Sequence, residues 1–399
     1  MLMKQNKFKT FPIHILAFLR VAIGVAIGLA NPLYFVKENL DPNLIGIITS
    51  GTAMAYLFSP FIFRNIHKKI GIKATVIIAS IGFLAIQVVL QITKHPLIVY
   101  LLLILDGVFL GLFWPVLMAA ISNISNRDEY KDNDRLKDKL MKTYSLSWNL
   151  GGIFCYLLGA GILFLIEEIE LMYIFALIFA VIGFLISLFI QEPSIQFDKK
   201  IIIPIDERIK ALPKREQIQF PLFIPLFMII IYGFLIGGVG LIYPIKSELL
   251  VFPLFSNYLF FFFRMITQTI IISKSMDLSI KTIKRLMPIS NLVVVITLLM
   301  MGLNQNIVLF GVLFGLFGIF NSLYYTLAFK LLVFRNIAEN TSKYSIYFET
   351  MIGIGFFFSP IITGIIAMND VNISFYLLTL ISFIGLIFFL VLNKKIKSE

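Results

Sequence analysis

The sequence has few of the side chains that build disulfides, metal sites or soluble surfaces. One of its 399 residues is cysteine, three are histidine, and only 14% are charged, against about 25% in globular proteins. Cys155 lies inside an apolar run and the histidines lack ligand spacing, so neither a disulfide framework nor a metal site is predicted. No phosphate-binding Gly-x-x-x-x-Gly-Lys-Ser/Thr segment occurs, and no nucleophile has a base near it in sequence. We therefore expect no cofactor and no enzymatic activity.

Apolar residues are abundant instead. They make up 59% of the chain, above the globular average of about 45–50%, and they form twelve runs of about the length that a spanning helix needs. The ninth run is the shortest. The runs are 11–34, 43–63, 74–93, 97–121, 144–166, 170–190, 222–245, 251–272, 287–303, 307–329, 344–367 and 372–392.

Helices satisfy their own backbone hydrogen bonds inside lipid, whereas barrel strands would be about ten residues long with alternating polarity. The sequence thus predicts an all-α polytopic membrane protein with twelve transmembrane helices. The first run is too long for a signal peptide and lacks an Ala-x-Ala cleavage site, so we expect it to be retained.

Lysine and arginine are distributed unevenly among the loops. With the N-terminus inside, the inner loops carry most of them, including six each in 122–143 and 191–221. The opposite loops hold Lys37, Lys94 and Lys246. By the positive-inside rule we expect a multi-pass cell-membrane protein, in contact with lipids, with both termini cytoplasmic. The net charge of +12 then reflects orientation rather than nucleic-acid binding.

The two halves of the chain look duplicated. Three correspondences occur in the same order: Gly24/Gly28 with Gly233/Gly237, Gly107–Phe113 with Gly311–Phe317, and Tyr144-Ser145 with Tyr344-Ser345. A segment with four prolines separates the halves. We predict an N-terminal six-helix bundle over 1–190, a linker over 191–221 and a C-terminal six-helix bundle over 222–399, related as a parallel pseudo-repeat.

Twelve spans, a central cytoplasmic linker and a six-plus-six parallel repeat resemble the major facilitator superfamily, over about residues 11–392. The resemblance implies that the first, fourth, seventh and tenth spans line a central cavity with the substrate near the midplane. Each of these spans carries a Gly-x-x-x-Gly pair, which permits close helix approach. We expect a monomer that binds a small-molecule substrate.

The loop between the second and third spans matches the family pattern in part. The family pattern is Gly-x-x-x-Asp-Arg-x-Gly-Arg-Lys, and Lys69, Gly71 and Lys73 fit it, whereas Lys68 replaces the aspartate and Arg64 the first glycine. The resemblance assigns Lys69, Gly71 and Lys73 to gating.

Two charges lie deep in the first and fourth spans. Arg20 and Asp106 are each nine residues from the start of their apolar run, or roughly 14 Å deep in a core about 30 Å thick. Intramembrane charges mark function by default. We expect Arg20 and Asp106 to form a midplane pair or to contact substrate or a proton together. The alternative is a static pair that fixes helix packing.

A second polar set lies on the eighth and eleventh spans. Arg264 and Gln268 share one helix face, and Glu349 corresponds to Asn149 in the other half. Because the resemblance brings the eighth and eleventh helices to the domain interface, we predict a gating link between Arg264 and Glu349 that forms and breaks. The alternative is that Glu349 snorkels to the inner surface.

Five further residues on the presumed cavity helices are candidates for contact with substrate: Asn31, Trp114, Tyr232, Asn321 and Tyr325. The alternative for the aromatic members is ordinary helix packing.

The resemblance implies a secondary active transporter that moves a small organic solute by alternating access, with Asp106 or Glu349 as the protonatable group if transport is proton-coupled. Two alternatives stay open: a drug-type efflux carrier of the same fold, and a receptor or assembly protein that kept the fold without transport.

Overall fold

The computed structural model describes residues 2–63, 66–125, 134–191, 218–338 and 343–398, and these are almost entirely helical. Eleven helices in this part of the chain are long and apolar enough to cross a membrane, and a twelfth apolar helix is shorter. The predicted all-helical, polytopic fold is confirmed. Most of the predicted linker falls outside the described residues.

Twelve helices follow the twelve apolar runs. They are α1 (Leu2–Lys37), α2 (Pro42–Tyr56), α3 (Ile72–Ile92), α4 (Pro96–Ser125), α5 (Asp134–Leu165), α6 (Leu171–Ser187), α7 (Phe223–Leu249), α8 (Phe255–Ser275), α9 (Ile280–Leu303), α10 (Ile307–Ala338), α11 (Lys343–Ala367) and α12 (Val371–Leu392). Short helices at Ser59–Ile62 and Ile66–Ile70 follow α2, and Asn393–Lys395 forms a 3-10 turn after α12.

Helix lengths differ from run lengths, and α9 and α6 are two examples. The ninth run is the shortest in the sequence, yet α9 has 24 residues because its first turns include Lys281, Lys284 and Arg285. Lysine and arginine end an apolar run but have good helix propensity. Apart from α2, which ends at Tyr56 within the second run, the shortest of the twelve helices is α6, with 17 residues.

One pair of short strands lies outside the helices. Ile218–Gln219 (β1) pairs antiparallel with Lys397–Ser398 (β2). Hydropathy gives no signal for it, because each strand has two residues.

The chain divides into two compact units. Unit 1 comprises Met1–Leu40, Gly51–Gln196 and Pro253–Phe262, and unit 2 comprises Asp41–Ser50, Phe197–Phe252 and Phe263–Glu399. The predicted boundaries at 190 and 222 stay a prediction.

The same helix pairs pack in both units, which agrees with the predicted repeat. In unit 1 α1 packs on α5 and α6, and α3 packs on α4 and α6. In unit 2 α7 packs on α11 and α12, and α9 packs on α10 and α12.

The first connection of each half also contains a residue with positive φ, Asn39 at 57° and Val251 at 54°. This backbone region is uncommon for asparagine and unfavourable for a β-branched residue. The tight turn after α7 therefore holds Val251 in a backbone conformation that valine disfavours.

Candidate functional site

An ion pair joins α1 to α4 inside unit 1. Nη2 of Arg20 lies 2.6 Å from Oδ2 of Asp106, and the two residues are 4% and 1% exposed. The structure thus pairs the two charges that the sequence places at equal depth in their runs. Its role in transport stays a prediction.

Close packing of α4 on α2 and on the short helix after it fixes the height of Asp106. A Cβ on Gly107 would lie 2.1 Å from the carbonyl oxygen of Thr52, and one on Gly111 would lie 2.0 Å from Oγ of Ser59. The Ser59 hydroxyl donates a 2.9 Å hydrogen bond to the carbonyl of Gly107. Asp106 is therefore next in sequence to Gly107, whose close contact with the Thr52 carbonyl leaves no room for a side chain.

Arg20 is held by an aromatic face as well as by the carboxylate. Its Cζ lies 4.4 Å from the ring centroid of Phe83 on α3, within the range of a cation–π interaction. Nε and Nη1 of Arg20, and Oδ1 of Asp106, have no hydrogen-bond partner among the described residues. The pair is thus neutral as a whole but retains donors and an acceptor that are not used.

The other two candidates in this half lie apart from the pair. Asn31, which is 1% exposed, accepts a 2.8 Å hydrogen bond from the hydroxyl of Tyr173 on α6. It is eleven residues, or about 16 Å, along α1 from Arg20. Trp114 is half-buried and packs edge-on against Phe113, with the ring centroids 5.3 Å apart.

Unit 2 contains a chain of polar contacts across α8, α7 and α10. Nη1 of Arg264 donates to Oε1 of Gln268 at 3.2 Å, and Nε2 of Gln268 donates to the Tyr232 hydroxyl at 2.9 Å. The ring of Tyr232 lies 5.4 Å from that of Tyr325. The structure therefore joins two residues predicted for gating to two predicted for substrate.

Asn321 lies one turn before Tyr325 on α10 and is 2% exposed. Neither its Nδ2 nor its Oδ1 has a hydrogen-bond partner among the described residues. A Cβ on Gly318, three residues earlier, would lie 2.3 Å from the carbonyl oxygen of Arg264. Because positions 318, 321 and 325 share a helix face, Asn321 lies beside the polar chain.

The ring of Tyr325 also stacks on Phe329, with 5.8 Å between centroids and 7° between planes, and meets Phe348 of α11 edge-on at 5.3 Å. Buried amide, hydroxyl and guanidinium groups are thus combined with aromatic faces in one region of unit 2. That combination suits a small organic solute.

A family model described as Major Facilitator Superfamily matches residues 13–277. The chain belongs to the major facilitator superfamily. It is therefore a secondary transporter that binds a small-molecule substrate and works by alternating access.

Solved structures of this superfamily share the fold across nearly the whole chain. A variant of the nucleoside transporter NupG is 14% identical, with 96% of this chain and 99% of that chain covered and a TM-score of 0.71. A bacterial homologue of the human lysosomal transporter Spinster, inward-facing and unoccupied, is 11% identical, with 98% and 97% covered and a TM-score of 0.70. The human organic anion transporter MFSD10 is 12% identical, with 96% and 99% covered and a TM-score of 0.65. No curated protein matches the chain by sequence.

The predicted gating residues of this transporter lie at several separate places. Gly71 begins α3 with φ of 90°, Lys69 before it is exposed, and Lys73 in the first turn is half-buried. Arg64 lies outside the described residues. Gly71 is thus required by its backbone conformation, whatever role the neighbouring lysines have.

The two other predicted gating residues are Asn149 on α5 and Glu349 on α11. Asn149 is 3% exposed and donates a 2.8 Å hydrogen bond to the carbonyl of Ser145 on its own helix. Glu349 is half-buried on α11. Its predicted link to Arg264 stays a prediction.

Lys246 is a buried residue that sequence reasoning assigned to a loop. It lies in the last turn of α7, is 3% exposed, and its Nζ donates to Met301 O at 2.8 Å, Gly302 O at 2.6 Å and Asn372 Oδ1 at 2.9 Å. The sequence offered one signal, since Lys246 is a base on the side with few bases. It ties α7 to the end of α9 and the start of α12.

Tyr258 was also missed. Its buried hydroxyl donates a 3.0 Å hydrogen bond to the carbonyl of Ala26 on α1, and its ring lies 6.3 Å from that of Tyr156 on α5. A Cβ on Gly159 would lie 2.4 Å from the Tyr258 ring. The first residues of α8 thus contact α1 and α5 within unit 1. Tyr258 lies among several phenylalanines, so no signal in the sequence distinguished it.

Proposed function

We propose that this protein is a proton-coupled secondary transporter of a small polar organic solute, and that Asp106 takes up and releases the coupled proton. The observation that carries this proposal is the Arg20–Asp106 ion pair, buried between two helices that cross the membrane.

A buried ion pair is a poor device for stability alone. Taking two charges out of water costs several kcal/mol per ion, and apolar residues of similar volume often stabilise as well or better. A carboxylate, however, can exist in two charge states. Oδ1 of Asp106 has no hydrogen-bond partner among the described residues, so a proton can add there without displacing the bond from Arg20.

Protonation of Asp106 removes the charge that balances Arg20. The attraction between α1 and α4 then loses the contribution of the ion pair and keeps that of the hydrogen bond from the Arg20 guanidinium. Two charge states therefore favour two packings of these helices, and a ligand or proton that binds one packing better shifts the population toward it. This is the physical requirement of coupled alternating access.

We propose that the solute binds beside the polar chain of unit 2, where Tyr232, Gln268 and Asn321 offer hydrogen bonds and Tyr325 offers an aromatic face. Polar organic solutes suit such a site. NupG is named a nucleoside transporter and MFSD10 an organic anion transporter, and both solute classes are polar and organic. At 14% and 12% identity neither name selects the solute.

The bias of lysine and arginine toward alternate loops supports a location in the cell membrane with both termini in the cytoplasm. We expect the protein to work as a monomer, because each unit contains its own candidate site residues.

The test starts from purified protein and a library of polar organic solutes, screened by thermal shift at two pH values. A ligand that binds the folded state raises the melting temperature. Each hit is then offered to proteoliposomes with and without an inward proton gradient. Uptake that rises with the gradient supports the proposal, with Asp106→Asn expected to abolish that rise and Asp277→Asn, an exposed carboxylate, expected to keep it. Gradient-driven uptake that survives in Asp106→Asn would contradict the assigned role.

A further inference from the structure

A cavity of about 10 Å³ adjoins Arg20 within unit 1. Helices α1, α3, α4 and α6 bound it, and its polar lining residues are Arg20 and Ser80. The other lining residues carry no titratable group, so Asp106, paired with Arg20, is the titratable neighbour. A volume of this size is about the minimum that one water molecule needs.

Arg20 has donors for such a molecule. A guanidinium carries five N–H groups; Nη2 donates to Asp106, while Nε and Nη1 are buried with no acceptor among the described residues. The ring of Phe83 attracts the charge of Arg20 but gives the in-plane N–H groups no acceptor. Buried donors need a hydrogen-bond partner, and Arg20 is one of the residues that line the cavity.

We infer that this cavity is a binding site for one water molecule, which accepts a hydrogen bond from Arg20 and shares another with the hydroxyl of Ser80. The inference rests on the proposed role of Asp106 in proton coupling. While Asp106 is protonated, the water keeps the guanidinium of Arg20 hydrogen-bonded, so the cation stays in place and the pair re-forms when the proton leaves.

A glycine of α12 in unit 2 has less room around it than the glycine of α6 that lines the cavity. Gly183 on α6 lines the cavity, and a Cβ there would meet no atom closer than Leu19 Cδ1 at 4.0 Å. A Cβ on Gly385 of α12 would lie 2.7 Å from the hydroxyl of Tyr324. The cavity itself lies in unit 1, which also contains the ion pair.

Gly183→Ala tests the inference, because its added methyl group enters the cavity without a clash and displaces a water. The matched control is Gly161→Ala on α5, where an added Cβ meets nothing within 4 Å and which does not line the cavity. Ser80→Ala is the second variant. It removes one hydrogen-bond partner of the water, and we expect it to fold whether or not the cavity holds water. Melting temperature and the pH profile of proton-driven uptake are measured for all three.

With water bound, Gly183→Ala melts several degrees below Gly161→Ala, and both Gly183→Ala and Ser80→Ala shift the pH profile of uptake. A dry cavity gives the opposite result: Gly183→Ala fills a void and melts above the control, Ser80→Ala is neutral, and the pH profiles coincide. That result overturns the inference and leaves the proposed function intact, because loss of proton-driven uptake in Asp106→Asn is measured separately.

Discussion

The ring of Tyr173 in unit 1 and the ring of Phe375 in unit 2 each lie near the ammonium group of a lysine that caps another helix. Nζ of Lys94 lies 4.3 Å from the Tyr173 centroid and bonds the carbonyl of Leu90 near the end of α3. Nζ of Lys246 lies 5.3 Å from the Phe375 centroid and bonds two carbonyls at the end of α9. Cations at helix C-termini satisfy free carbonyls and complement the helix dipole.

The two lysines reach the same kind of place from different helices. Lys94 follows α3 directly, whereas Lys246 comes from α7. Burial lowers the pKa of Lys94, and Glu170 nearby opposes the shift. A lysine thus bonds the last carbonyls of α3 in one half and of α9 in the other, but the two lysines come from different positions in the chain.

Lys246→Met should lower the free energy of unfolding by about 2–3 kcal/mol, because it leaves the carbonyls of Met301 and Gly302 without their charged donor. Lys37→Met is the control, since Lys37 is exposed in the last turn of α1 and should cost under about 0.5 kcal/mol. Equilibrium unfolding in detergent compares the two. Equal losses would show that Lys246 contributes no more than an exposed lysine.

Asp106→Leu and Arg20→Met should each lower the free energy of unfolding by about 3–5 kcal/mol, since each leaves one charge buried and unpaired. The double variant should be more stable than either single variant, because it buries no charge at all. Unfolding of the four proteins under the same conditions forms a double-mutant cycle. Additive losses would argue against a direct interaction.

Gly107→Ala should cost about 1–3 kcal/mol, as its Cβ would meet the carbonyl of Thr52 and force α4 away from α2. Gly28→Ala, in another Gly-x-x-x-Gly pair, should be neutral or stabilising, because a Cβ there meets nothing within 4 Å. Melting temperatures decide the comparison. A neutral Gly107→Ala would mean that α2 moves away at little cost.

Tyr258→Phe should lower the free energy of unfolding by about 1 kcal/mol through loss of the bond to the Ala26 carbonyl. The ring and its packing on Tyr156 remain. Tyr376→Phe, at a tyrosine that is 37% exposed, is the control with the same chemical change. Both variants are measured by unfolding and by uptake, and a Tyr258→Phe protein as stable as the control would contradict the prediction.

Hydropathy and helix geometry predicted much of this molecule. Apolar runs marked all twelve helices, because lipid demands about 20 apolar residues per crossing. The pairing of Arg20 with Asp106 followed from arithmetic, since a rise of about 1.5 Å per residue places both at one depth. Depth fixes which charges can meet when few are present.

Contacts that depend on how helix ends converge were not predicted. The burial of Lys246 needs the end of α9 and the start of α12 beside it, and the sequence near Lys246 encodes neither. The glycine pairs show the same limit. Gly107 and Gly111 lie in backbone contacts, whereas Gly28 and Gly315 meet nothing within 4 Å, and the spacing alone is identical in both cases.

The shortness of α6 has a consequence for the lipid around it. Its 17 residues span about 26 Å, less than the bilayer core of about 30 Å. Three of its side chains, those of Ile174, Ile178 and Ile182, are exposed, and in a bilayer we expect them to face the acyl chains. Hydrophobic mismatch of this kind is relieved by local thinning of the bilayer at a modest cost per ångström, so lipids with shorter chains should gather along α6 and thinner membranes should suit this transporter best.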